Sequence, residues 1–415
     1  MATTAARITD RLTPVEEARE MILERAHWLG FEPVPLHEAL GRVLADDVEA
    51  VEPVPRFDNS SMDGYALRAA DTAAAADGPV ALAIVDESRA GHPSTLPVGP
   101  GEAIAISTGA VLPAGADAVV RVEDVVRDGD DVSVSVPVAL GNNVRRIGDD
   151  IAAGTRVLSA GTTIGAAELG VLASLGVDPV LCSSRPRVAI IVSGDELTDP
   201  AEPLGPGQIH DANAYTLRSL AVAAGAEVVV EAKVGDDPTE TGEAIADALE
   251  EADLLLVSGG ISVGPHDHVK GALAENKIEQ LFWRIALKPG KPTWFGVREK
   301  EAALVVGLPG NPVSAMVCFL LLVRPALRKM LGTDPAERRM VAHLDDDCER
   351  EPRRLHAVRC GLELREDGWH ARSTGGQASH ILTSMLGADG LALIPAGNGP
   401  LTAGSQVEVE LLPSA

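Results

Sequence analysis

From Arg185 to about residue 335, short apolar runs alternate with helix-patterned stretches so regularly that few folds remain open to the chain. Residues 187–192, 227–232 and 253–258 read as buried strands, and 281–287 and 302–306 as two more. Residues 213–224, 238–251 and 266–275 read as helices, and 312–331 as a long helix kinked or broken near Pro325. Strands alternating with helices across short loops predict a mostly parallel sheet covered on both faces. Ligands of such sheets bind outside the carboxyl ends of the strands.

Each of those strand ends leads into a polar loop. The loops are Ser193-Gly194-Asp195-Glu196-Leu197, Gly235-Asp236-Asp237-Pro238, Ser258-Gly259-Gly260-Ile261-Ser262-Val263-Gly264-Pro265-His266-Asp267 and Gly307-Leu308-Pro309-Gly310-Asn311-Pro312. In the third, glycines let backbone N–H groups approach an anion, and the following helix adds its dipole, which makes 259–264 a candidate phosphate cradle. A tight strand-to-helix turn is the alternative reading. The loop matches neither GxGxxG nor the Walker pattern, so neither a dinucleotide dehydrogenase nor a P-loop NTPase is supported. Asp195, Glu196, Asp236, Asp237 and Asp267 fall on neighbouring loops, where carboxylates can hold Mg²⁺ or cap helices. His210, His266 and His268 lack the spacing of a metal pair and read as polar loop residues.

Charge narrows the ligand. With 35 Lys and Arg against 61 Asp and Glu, the net charge is −26, which excludes a nucleic-acid binder that draws affinity from basic side chains. An anionic ligand must therefore meet a local exception. Four of the seven lysines, Lys270, Lys277, Lys288 and Lys291, fall within 22 residues beside Arg284. Lys288-Pro289-Gly290-Lys291-Pro292 holds two ammonium groups on a stiff loop, suited to a compact oxyanion, although a solvated charged face is the plainer alternative.

The flanking regions differ in pattern. Thr13-Pro14-Val15-Glu16 reads as an N-cap threonine with proline at the first helical position, opening a helix toward Trp28. Residues 45–144 read as an inserted β-rich domain with strands near 80–85, 103–107 and 131–138. Residues 1–44 and 145–184, with a helix over 165–175, form an elongated N-terminal or linker domain around it. Residues 185–335 are the α/β domain, and 340–415 a small C-terminal β domain with strands at 391–394 and 406–411. Turn-rich segments 56–66, 145–151 and 374–380 carry polar side chains but identify no reaction alone. Cys182, Cys318, Cys348 and Cys360 lack CxxC spacing, which argues for inert thiols. No apolar run approaches the length of a membrane span, and no secretory pattern opens the chain, so the expected location is cytoplasmic.

In this order, FDNSSMDGYA, STGAVLPAGADAVV, RRIGDDI, IVSGDEL, GQIHDAN, SGGISVGPHD, KPGKP and GLPGNPVSA closely resemble the molybdopterin molybdenumtransferase family, from about Thr13 to Leu411. That family includes the bacterial molybdenum-insertion enzymes and the C-terminal domain of gephyrin. The resemblance implies a three-layer α/β/α molybdopterin-binding domain, the inserted β-rich domain and a C-terminal β-barrel-like domain, in a homodimer. It implies that adenylylated molybdopterin and molybdate give molybdenum cofactor and AMP, with Mg²⁺ as cofactor and a transient contact with a molybdopterin adenylyltransferase. Carried over by motif, Asp63, Thr108 and Asp150 would be contributed by the partner subunit. Glu196, Asp236 and Asp267 would surround the metal and pyrophosphate. Gly259, Gly260, Ser262 and Gly264 would cradle the pterin phosphate. Arg284, Lys288, Lys291 and Ser314 would form the oxyanion site, with Lys288 catalytic and Arg359 and Ser379 reaching in from the last domain. Some relatives carry Lys in place of Arg284 and Glu in place of Pro265, and often His and Gly in place of Gly376 and Ala378.

Two other readings compete. A molybdopterin adenylyltransferase shares only the α/β module, about residues 185–335, and leaves FDNSSMDGYA and the Ser379 loop unexplained. A gephyrin-like scaffold without catalysis would need an exposed apolar groove, and no sequence signal marks one.

Overall fold

The computed structural model describes residues 12–261, 268–298, 303–336 and 339–412. The chain divides into two compact units, one within residues 1–32, 41–45 and 181–415, the other within 33–40 and 46–180.

The larger unit is built on a six-stranded sheet in the order Glu227–Val234, Arg187–Ser193, Leu254–Ser258, Ala303–Leu308, Trp294–Arg298, Glu279–Trp283. Its first four strands are parallel, and the last two pair antiparallel. Strand periodicity sorts the side chains. Val188, Ile190 and Val192 face one core with Leu217, Phe319 and Leu327, while Ala189 and Ile191 face another with Ile245, Leu249 and Leu273. Helices Val15–Arg25, Asn213–Ala223 and Pro312–Cys318 cover the first face, and Pro238–Glu251 and Val269–Glu275 the second. Each fully buried Leu or Ile in these layers contributes about 1.5–3 kcal/mol of burial.

Three local expectations change, and the break expected near Pro325 is present. The strand expected over 281–287 is Glu279–Trp283; it stops at Arg284, whose φ is +70°, and Leu287–Lys288 pairs elsewhere. Trp294–Arg298 is a strand that the pattern did not announce, because proline and lysine precede it and Gly296 interrupts its apolar run. Thr13 is not an N-cap: Pro14 stands at that position, and Thr13 pairs by backbone with Arg284 and Ala286. The long helix is three segments, Pro312–Cys318, a π-helical Phe319–Val323 and Arg324–Met330. The wider turn sits directly before Pro325, which has no N–H to give and crowds the preceding turn.

The same unit ends in a closed five-stranded barrel. Leu355–Arg365 pairs with Gly368–Ser373 and Gly390–Ile394, and Arg339–Leu344 and Gln406–Leu411 complete the ring. Leu287–Lys288 joins it, pairing in parallel with Leu355 and His356. The smaller unit holds a six-stranded sheet, in the order Ala118–Arg121, Gly64–Leu67, Glu102–Ile106, Val80–Ser88, Asp131–Val134, Val125–Asp128, and the helix Ala166–Ser174. All four cysteines are buried and free; burial pushes the Cys318 thiol up to about 12. Among the described residues no helix is long and apolar enough to cross a membrane.

Candidate functional site

The Arg187–Ser193 strand has Glu227–Val234 on one side and Leu254–Ser258 on the other, so the topological switch point falls between the ends at Ser193 and Ser258. Gly259 and Gly260 occupy that crevice with φ of +96° and +62°. A Cβ on Gly259 would lie 2.5 Å from the Ser193 carbonyl oxygen, and one on Gly260 would lie 2.4 Å from Val269 Cγ2. Only glycine lets the chain turn this tightly against its neighbour. Buried Asn213 ties the crevice together, its Nδ2 donating to Ser258 Oγ at 2.8 Å and to the Gly310 carbonyl at 2.9 Å. Asp211 accepts from the Asn213 and Ala214 N–H groups and so holds the start of that helix. Ser262, Gly264 and Asp267 lie outside the described residues.

The acids at the strand ends divide by task. Asp237 caps the Pro238–Glu251 helix, accepting from the Glu240 and Thr239 N–H groups, which holds its carboxyl below the usual range. Asp195 accepts from the Asp236 N–H at 3.0 Å and joins the two loops. Glu196 folds back over Gly194, where an added Cβ would lie 2.5 Å from its Oε2. The exposed Glu196 and Asp236 carboxylates are thus brought onto loops that Asp195 links. Among the described residues no group of three His, Cys, Asp or Glu forms a closed metal cage.

Beyond this crevice, Trp283 connects glycine loop and cations. Its indole N–H donates to the Ile261 carbonyl at 3.0 Å, while Lys270 Nζ and Arg284 Cζ lie 3.9 and 4.2 Å from its ring centroid. Each contact is a cation–π arrangement worth about 0.5–1 kcal/mol at an exposed position. Arg284 and Lys291 then line a cavity of about 760 Å³ with Leu12, Glu351, Pro352, Arg353 and Arg354. Lys288 stands behind this wall, its Nζ donating to Glu351 Oε1 at 2.7 Å. Glu351 also accepts from Arg354 at 2.6 Å, and the two cations pull its carboxyl down to about 2.

Ser314 is buried in the first turn of Pro312–Cys318. Arg359 is fully buried in the barrel, where its Nε donates to Ser384 Oγ and its Nη2 to the carbonyls of Gly376 and Ala378. Burial pulls its guanidinium down to about 10. Arg359 therefore organises the 374–380 loop that carries Ser379, and it does not line the 760 Å³ cavity.

In the smaller unit, the Thr108 N–H and hydroxyl both donate to Asp63 Oδ1. Asp150 lies exposed in the 145–151 turn, which is bound to the 54–60 segment through Arg146 and Ile147 on Asp58 and through the Asp150 N–H on the Val54 carbonyl. The Arg146 side chain pairs with Asp58, outside the turn, and within the turn it is the Arg146 backbone N–H that donates to Asp149 Oδ2.

Sequence reading passed over Asn213, Trp283 and the Glu351–Arg354 turn. The first lies within a recognised motif, GQIHDAN, and the second beside the lysine cluster. Glu351 and Arg354 carried no signal, since they reach Lys288 only through the strand pairing of Leu287–Lys288 with the barrel.

Fold and site together define a three-layer α/β protein with a glycine-lined crevice at its switch point and a cavity lined mainly by cationic side chains. Family models match nearly the whole chain: "MoeA N-terminal region (domain I and II)" over residues 13–176, "Probable molybdopterin binding domain" over 189–329 and "MoeA C-terminal region (domain IV)" over 341–412. Molybdopterin molybdenumtransferase 2 of Mycobacterium tuberculosis is 37% identical over 404 residues, covering 95% of this chain and 98% of that protein. The Haemophilus influenzae molybdopterin molybdenumtransferase is 35% identical with the same coverage. A crystal structure of the molybdopterin biosynthesis MoeA protein from Pyrococcus horikoshii superposes with a TM-score of 0.82 at 34% identity, covering 97% of this chain and 99% of that one. The chain belongs to the molybdopterin molybdenumtransferase family.

Proposed function

We infer that the protein is a molybdopterin molybdenumtransferase of molybdenum cofactor biosynthesis, which inserts molybdate into adenylylated molybdopterin and releases AMP. The observation that carries this reading is the full-length family match, joined to a glycine-lined crevice and an adjoining cationic cavity in one unit. In this reading the backbone at Gly259 and Gly260 receives the pterin phosphate, and Asn213 keeps the crevice walls in place. Arg284, Lys288 and Lys291 receive molybdate, a tetrahedral dianion that point-charge donors suit. Binding both substrates side by side converts a bimolecular encounter into a local one, so no side-chain nucleophile is required.

Mg²⁺ belongs to the proposal. The donor set fits it, because Glu196 and Asp236 offer hard carboxylate oxygens on linked loops, and Mg²⁺ is commonly held by one or two carboxylates with water and phosphate oxygens. Glu196 and Asp236 would hold the ion, with Asp267 beside them in sequence reading, and it would offset charge on the phosphoanhydride. A homodimer, a transient contact with a molybdopterin adenylyltransferase and a cytoplasmic location complete this reading.

The test is incubation of purified protein with adenylylated molybdopterin, molybdate and Mg²⁺, following AMP and the reconstitution of a cofactor-free molybdoenzyme. AMP release that requires molybdate supports the proposal. Release independent of molybdate, or none, overturns it.

A further inference from the structure

Glu351 lies 63 positions after Lys288, yet its turn forms one wall of the cationic cavity. Backbone pairing sets that position. Leu287 and Lys288 run parallel to Leu355 and His356, and the Leu355 N–H donates to the Ala286 carbonyl at 2.8 Å. The turn is further fixed by the Glu351–Arg354 bridge and by the Gly397 N–H on the Glu351 carbonyl at 2.9 Å. From this frame the two carboxylate oxygens reach different cations, Oε1 taking Lys288 at 2.7 Å and Oε2 taking Arg354 at 2.6 Å.

We propose that Glu351 is a positioning residue for oxyanion capture, bridging Lys288 and Arg354 so that both cations are held in place beside Arg284 and Lys291 before the substrate arrives. This rests on reading the cavity as the oxyanion site. A lysine ammonium on four rotatable carbons loses substantial rotamer freedom when fixed, and a carboxylate already holding it bears that loss in advance.

Glu351 has two opposed effects. As a negative charge it repels a dianion, so its removal would tighten binding. As a strut it orders two cations, so its removal would loosen binding. Beside the Glu351 carboxylate the cavity lining carries four cationic side chains, Arg284, Lys291, Arg353 and Arg354. Repulsion from one solvent-screened carboxylate is therefore the smaller effect, and ordering decides the sign.

The experiment compares full-length wild type, Glu351→Gln, Glu351→Asp and Lys288→Ala. Molybdate binding is measured by calorimetry with molybdate alone, KM and kcat by AMP release, and folding by thermal unfolding. Glu351→Gln should weaken molybdate binding and raise its KM about tenfold, the scale of one charge-assisted hydrogen bond, with the KM for adenylylated molybdopterin changed less than about twofold. Glu351→Asp, which keeps the charge on a shorter arm, should fall between the two and serves as the comparison if the glutamine variant does not fold. Molybdate binding that is unchanged or tighter in the folded variant overturns the strut role. If Lys288→Ala itself leaves molybdate binding untouched, the reading of the cavity fails; if it weakens binding and Glu351→Gln does not, only the positioning role fails.

Discussion

Thr108 donates twice to one atom: its backbone N–H reaches Asp63 Oδ1 at 2.7 Å and its hydroxyl reaches the same oxygen at 3.1 Å. The two residues stand 45 positions apart, in FDNSSMDGYA and STGAVLPAGADAVV. Asp63→Ala removes both bonds and is expected to lower the unfolding free energy by about 1 kcal/mol. Thr108→Val keeps the backbone bond and should cost less. Urea denaturation checks the order, and AMP release should fall at least tenfold in the aspartate variant if the pair serves catalysis.

Gly259→Ala should damage binding and stability together. A side chain there must adopt φ of +96° and meets the Ser193 carbonyl oxygen at 2.5 Å, a backbone atom that cannot swing aside. The expected cost is about 1–3 kcal/mol. Calorimetric binding of molybdopterin should weaken more than tenfold in protein that remains folded, whereas Gly271→Ala, with open space around it, should bind normally.

Lys291 is exposed at the cavity wall. Lys291→Ala should raise the KM for molybdate about tenfold or more while changing the KM for adenylylated molybdopterin little, because a rim charge acts on the ligand it faces. Steady-state AMP release against each substrate in turn measures the split. Equal loss for both substrates would remove Lys291 from the oxyanion role.

The barrel should be most stable in mildly acid solution. Asp345 accepts from Arg365, His370 and Arg372, with Arg365 the strongest influence, and its carboxyl is held well below the ordinary value of 3.8. That contribution is present above about pH 3.8 and lost as pH falls further. His370 lies 3.0 Å from both Asp345 and Asp367, which raise its pKa above 6.5 against desolvation and the charge of Arg365, with the His343 ring tilted nearby. Its contribution is full below pH 6.5 and lost as pH rises through the raised value. Thermal midpoints from pH 3 to 9 should therefore fall on both sides. His370→Gln should flatten the alkaline limb, and Asp345→Asn should weaken the acid limb, which Glu351 also feeds, and make the alkaline one shallower.

Much was written locally. Alternation of apolar runs and helices in residues 185–335 determined a parallel α/β sheet, because burial on both faces demands continuous apolar strands. Gly259-Gly260 marked the crevice, since a left-handed turn at a strand end needs glycine, and the lysine cluster marked the cations in an acidic chain. Asp237, Glu196 and Asp236 looked the same in sequence, each able to hold a metal or cap a helix. Only the fold separated them, by giving Asp237 the two N–H groups of Thr239 and Glu240, although all three acids are exposed. The break at Arg284, the strand Trp294–Arg298 and the placement of Glu351 were likewise decided in three dimensions. The break at Arg284 and the placement of Glu351 depend on pairing between segments remote in sequence, Thr13 with Arg284 and Leu287–Lys288 with Leu355–His356, whereas Trp294–Arg298 pairs with its sequence neighbours on either side. Periodicity records which face a residue buries but not which strand it will meet.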